Sequence, residues 1–234
     1  MKTLPLGLRQ VLESGDCVLF LGAGIGQHLK KPDGETAPDG SILARELCAK
    51  FGIDPETTDL AKAAQLVEIR KSRSDLEAFL KKRLSELEPD DVIRWLTTFR
   101  WRAIFTTNYD QSLLRAYELN ATAPQMPVPM SVTADLEYTE PRTQIPVFYL
   151  HGALFGTAAS NIVITQDDYA RFQSKRRMLW ERLKLEFALT AAQRNQVDFR
   201  TGLNPLSDAP TARRPDSESR FNRCKSVRIS AALW

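Results

Sequence analysis

Three short stretches hold residue types and spacings that could do chemistry. The first, Gly22-Ala23-Gly24-Ile25-Gly26, follows directly on the apolar run 17–21 (CVLFL). Glycines after a buried strand let the chain turn sharply and let its amides approach a pyrophosphate closely. The dinucleotide fingerprint GxGxxG is incomplete, because its third glycine would fall on Gln27. A tight exit turn without a ligand is the alternative at this point. The second stretch is Thr106-Thr107-Asn108-Tyr109-Asp110, at the end of another apolar run. An asparagine there can donate to and accept from a ribose hydroxyl or a water, whereas Asp110 reads equally as a turn residue or helix cap. The third is His151-Gly152, after the apolar run 146–150. Histidine is the usual general base near neutral pH, although a lone histidine is more often structural. The other histidine, His28, lies in a polar loop and reads as solvated.

These stretches matter together only if the elements around them bring them to one place. Runs 17–21, 102–106, 146–150 and 161–165 read as strands buried on both faces. Helices are expected at 4–14, 41–51, 59–71, 75–87 and 90–99, with Pro55 and Pro89 as separators. Another is expected from Asp110 to about 119, and a long one over 166–187. Residues 27–40 read as a loop, and 121–146, with five prolines, as a loop with short extended pieces. Strands separated by helices imply an α/β, Rossmann-like, mostly parallel sheet with a helical insertion after the first strand, about 41–99. In such sheets ligands gather at the carboxyl ends of the strands, where all three stretches fall.

The 234 residues are 43% hydrophobic and 26% charged, ordinary globular usage that argues against wholesale disorder, collagen or coiled coil. Residues 188–234 hold eight of the 32 Lys and Arg and four of the 29 Asp and Glu, which leaves 1–187 with a net charge of −1. The body therefore gives no electrostatic indication of nucleic acid. Residues 188–234 show neither a helical nor a strand period, so they read as a basic tail, disordered or non-native, after a domain at 1–187. No apolar run is long enough for a membrane span and no signal peptide is read, so the expected compartment is the cytoplasm. Cys17, Cys48 and Cys224 are scattered without a CxxC pair, which argues against a disulfide framework or a four-cysteine zinc site. Cys17 and Cys48 read as small core fillers. The run Lys175-Arg176-Arg177 reads as a solvated helix face.

The order of apolar strand, GAGI, helical insertion, FTTNYD, LHG and ITQDDY resembles the silent information regulator 2 (sirtuin-like) family over roughly residues 10–187. It is most similar to the prokaryotic defence-type NAD hydrolase domains. The resemblance implies NAD as substrate, with Gly22, Ala23, Gly24, Ile25, Thr107 and Asn108 in its binding. It implies Asn108 on the nicotinamide ribose or attacking water, Asp110 supporting that side, and His151 as the polarising base. It implies cleavage of NAD to nicotinamide and ADP-ribose in anti-phage defence, with a homo-oligomer or a separate sensor protein as partner. Classical deacylase members carry a four-cysteine zinc module that has no counterpart here, so no zinc is expected. The family also continues with a strand bearing a small polar motif that nothing after 187 supplies, so the sheet is expected to be incomplete and the domain C-terminally truncated. NAD-dependent ADP-ribosyl transfer or deacylation, a non-catalytic NAD or ADP-ribose binding module, and an inactive remnant remain the alternatives.

Overall fold

The computed structural model describes residues 12–54, 57–130, 140, 142–156 and 162–201, the backbone alone at 173, 175 and 190–201. Four strands form one parallel sheet in the order β1-β4-β6-β5: β1 (Val18–Leu21), β4 (Ala103–Thr106), β6 (Gln144–Tyr149) and β5 (Met126–Met130). Two faces follow from the alternation of side chains along each strand. Leu19, Leu21, Ile104, Val147 and Tyr149 enter one core, beneath helices α4 (Asp91–Leu96) and α5 (Ser112–Glu118). Val18, Phe105, Phe148 and Leu150 enter another, against Leu179 and Leu183 of α7 (Arg177–Thr201). There Phe105 and Phe148 stack with ring centres 4.7 Å apart.

The insertion between β1 and β4 has its own core. Helices α1 (Gly40–Phe51), α2 (Leu60–Arg70) and α3 (Arg73–Arg83) enclose Leu47, Ala63, Ala64, Val67, Leu76 and Leu80. Their starts follow from capping chemistry. Asp39, Asp59 and Ser72 each accept a hydrogen bond from the first turn's free amides. A small antiparallel pair, β2 (Leu29–Lys30) with β3 (Glu88–Pro89), closes the insertion's base.

Arg73 fastens the insertion to the body. Its guanidinium donates to Glu77 (2.7 Å), to Asp168 of α6 (Gln166–Lys175; 2.7 Å) and to the carbonyl of Ile162. Asp168 in turn closes the capping box of α6 with Thr165. Arg73→Ala strands a half-buried carboxylate and a carbonyl, and we expect it to cost about 1–3 kcal/mol. A thermal melt is then expected to show Tm lowered by about 3–10 °C.

Several elements differ from the sequence reading. Residues 162–164 are buried but pair with no strand among the described residues; Val163 donates its amide to the His151 carbonyl instead (2.8 Å). Residue 161 lies outside the described residues, as do residues 4–11 of the expected opening helix, of which 12–14 are helical. The proline-rich segment supplies a full strand, β5, paired in register with β6. Pro127 and Pro129 are tolerated because an edge strand needs hydrogen bonds on one side only. The long helix expected over 166–187 is two helices broken at Arg176, and the second runs on through 188–201. Residues 23–28, read as a glycine-rich turn running into the 27–40 loop, form a 3-10 helix. Residues 202–234 of the tail lie outside the described residues.

Candidate active site at the strand ends

The register of the sheet gathers the site. Leu21, Thr106 and Tyr149 stand in one row across β1, β4 and β6. The residues that follow leave the sheet side by side: the Thr107 amide still bonds the Leu21 carbonyl (3.1 Å) and the Leu150 amide the Thr106 carbonyl (2.8 Å). Beyond that row the chain must turn out of the ladder, and His151 is followed by Gly152 at φ +81, a conformation open to glycine and costly for other residues. The Thr106 hydroxyl holds the turn after β4 by accepting from the Asn108 amide (3.0 Å).

A cavity of about 250 Å³ opens at this edge. Thr107, Asn108, Asp110 and His151 line its floor and wall, with Tyr109 and Tyr169 beside them. Leu43, Leu60, Leu84 and Leu87 of the insertion roof it, and Ala23 and Gly26 form the side next to β1. Thus the structure brings Thr107, Asn108, Asp110, His151 and Ala23 of the sequence-predicted set to one space. Gly22, Gly24 and Ile25 do not line it. Ile25 is packed in the sheet core, and its amide closes the turn onto the Gly22 carbonyl (3.1 Å). Gly22 is extended (φ −102, ψ −176), and neither it, Gly24 nor Gly26 has a positive φ. Nor is a side chain at Gly22 forced out by crowding: a Cβ there would stand 4.0 Å from the Thr107 hydroxyl, an ordinary contact.

His151 sits among aromatic rings: Phe172 at 5.1 Å, Tyr169 at 5.5 Å and Tyr109 at 6.4 Å between centres. Burial lowers its pKa to about 4, and the nearby positive charge of Arg176 adds to the effect. The imidazole is therefore neutral at pH 7 and can accept a proton. The Asp110 carboxyl is pushed up from the usual range by burial, opposed by hydrogen bonds from Ser112. The Ser112 amide (2.9 Å) and hydroxyl both donate to Asp110 Oδ1, so Asp110 does hold the start of α5 while it lines the cavity.

Two sequence readings are corrected here. Arg176 is not on a solvated face: it is buried at the break between α6 and α7, with Nη1 3.5 Å from the Tyr149 carbonyl. The break turns its side chain inward while Arg177 stays exposed. His28 is not simply solvated either, since its Nδ1 lies 2.8 Å from Asp90 Oδ2 and joins the 3-10 helix to the start of α4. The sequence reasoning missed the aromatic enclosure of His151. Tyr169 and Phe172 were readable only as apolar positions of a helix, and nothing in their spacing pointed to His151.

The lowered pKa has a direct test. In an NMR titration the His151 ring is expected to change charge near pH 4, with no change between pH 7 and 5.5. A histidine that stays neutral in the fold but takes a proton near 6.5 when unfolded makes the unfolded chain bind more protons between those values. Stability is therefore expected to fall as pH drops from about 6.5 to about 4, to a smaller extent in His151→Phe.

A parallel α/β sheet with helices on its faces and a cavity at the carboxyl ends of its strands is a Rossmann-like fold, in which ligands bind at that edge. Residues 102–197, which include Asn108, Asp110 and His151, match the family model of the SIR2-like domain. That match makes the segment similar to SIR2-like domains, and a sirtuin-like, NAD-related function is what the similarity supports. No curated protein matches the chain. Among the described residues, no group of three or more His, Cys, Asp or Glu is placed to hold a metal ion, and no helix is long and apolar enough to cross a membrane.

Proposed function

We propose that this chain is an NAD glycohydrolase that cleaves NAD to nicotinamide and ADP-ribose, acting in the cytoplasm in anti-phage defence. The observation that carries the reading is the convergence of Asn108 and a neutral, aromatic-walled His151 in one cavity at the carboxyl edge of the sheet. The polar groups suit the nicotinamide ribose: the Asn108 amide can both donate and accept, the imidazole can accept, and Thr107 adds a hydroxyl. At about 250 Å³ the space suits that half of the molecule rather than the whole dinucleotide. Gly22, Ala23, Gly24 and Ile25 remain the proposed neighbours of the pyrophosphate, through backbone rather than side chains.

In the reaction the C1′–N bond breaks and its electron pair leaves with nicotinamide, which becomes neutral. The ribose carbon is left oxocarbenium-like and bonds to a water oxygen. That oxygen is then strongly acidic, so even an imidazole with a pKa near 4 takes its proton downhill. Products are nicotinamide, ADP-ribose and one proton. Asn108 orients the water or ribose, and the roof leucines exclude other water. Asp110 supports the same side. A second copy of the chain or a separate sensor protein is the proposed partner.

The test is product stoichiometry on the purified chain. Hydrolysis is expected to give free ADP-ribose equal to nicotinamide. Nicotinamide without matching ADP-ribose would point to transfer onto an acceptor, and binding without either product to a non-catalytic module.

A further inference from the structure

Beside the strand-end cavity is a second, much smaller space of about 10 Å³. Asn108 and Asp110 line both spaces. Its walls are otherwise Thr106 and Ser112, the ring of Tyr149, and apolar side chains such as Ile25. Tyr149 is 2% exposed, and its hydroxyl has no hydrogen-bond partner among the described residues. A buried hydroxyl left without a partner is costly, and polar voids that hold one water are the usual remedy. A volume of about 10 Å³ lies at the lower limit for one water, and the lining offers the two to four polar partners such a water requires.

We propose that one ordered water fills this space and bridges the Tyr149 hydroxyl to the Asp110 carboxyl, which makes Tyr149 a positioning residue for the floor of the active site. The assignment of Tyr149 to catalysis rests on the glycohydrolase reading; the water bridge does not. Burial and the charge of Asp110 keep the hydroxyl protonated, so it donates to the water and the water donates to the carboxylate. The bridge favours the ionised form of Asp110, against the burial that disfavours it. Other titratable groups surround Asp110. Glu86 and Glu88 face it from the segment before α4, Arg115 and Glu118 from α5, and His151 and Tyr169 across the cavity.

The experiment compares the full chain with Tyr149→Phe, which keeps the ring and removes the hydroxyl. The carboxyl of Asp110 is titrated by carbon NMR, assigned through Asp110→Asn. The midpoint is expected to rise by about one pH unit in Tyr149→Phe, the effect of losing one donor to a carboxylate. The acid limb of nicotinamide release is expected to move up with it, at nearly unchanged KM. An unchanged midpoint in the folded variant would overturn the proposal. Should Tyr149→Phe fail to fold, a high-resolution crystal structure of the wild-type chain decides. Density for a water within hydrogen-bond reach of both Tyr149 Oη and Asp110 supports the bridge, and its absence overturns it. A wild-type chain that releases no nicotinamide would sink the glycohydrolase reading, while the titration would still report on the bridge.

Discussion

His151→Ala is expected to lower kcat for nicotinamide release by at least about 100-fold, the low end of what a positioned proton acceptor contributes. The expectation follows from placement. The ring stands just past the end of β6 and lines the same cavity as Asn108, which follows the neighbouring strand β4. Its low basicity keeps it neutral throughout the physiological range, so its ability to accept is present without any change of charge. Truncation also leaves a gap among Tyr109, Tyr169 and Phe172, so some stability is lost with the ring. A melt that remains cooperative, run beside the kinetic assay, separates loss of chemistry from loss of fold. For the wild type the rate is expected to fall as pH drops through the midpoint of His151, near 4. The sign is set by the active form: the neutral imidazole accepts, and its protonated form cannot.

Asn108→Ala is expected to lower kcat by about 10²–10³-fold, comparable to removing one preorganised donor from a site where charge develops. The Asn108 backbone is fixed independently of its side chain, because its amide bonds the Thr106 hydroxyl. The turn should therefore survive, and the effect should fall on kcat more than on KM. Asn108→Asp supplies a useful contrast. It keeps the shape but removes the amide donors, and it brings a second carboxyl close to the burial-raised Asp110. A variant of either kind with near-wild-type turnover would contradict the assigned role.

The parts of this fold that are legible in sequence are those set by local chemistry. CVLFL, RAIFT and PVFYL are continuous apolar runs, and each forms a strand of the central sheet buried on both sides. Asp39, Asp59, Ser72, Asp90 and Thr165 announce helix starts through their side-chain oxygens. The juxtaposition of TTNYD with HG was also legible, because parallel strands of similar length expose their carboxyl ends together.

What was not legible depends on distant neighbours. β5 carries two prolines, and only its edge position makes them acceptable. NIVIT has the composition of a strand, yet in its described part, 162–165, Ile162 and Val163 are held by Arg73, the His151 carbonyl and the Tyr109 hydroxyl (2.7 Å) instead of a ladder. Arg176 looks solvated within a run of three cations. Only the break between α6 and α7, which no residue type signals, turns it inward towards Tyr149 and His151. The glycine-rich turn is the reverse case. Its composition suggested a backbone that needs glycine, whereas the observed dihedrals at Gly22 are open to other residues and a Cβ there would make only an ordinary contact with the Thr107 hydroxyl.

The most direct test of the central claim is nicotinamide release from NAD by the purified full chain, followed by chromatography beside His151→Ala at equal folded concentration. Turnover by the wild type that is lost in the variant, with free ADP-ribose appearing in step, is the result the strand-end site predicts. Equal turnover in both chains, or none in a wild type whose Tm NAD leaves unmoved, would contradict it, because a ligand that binds the native state must raise its stability.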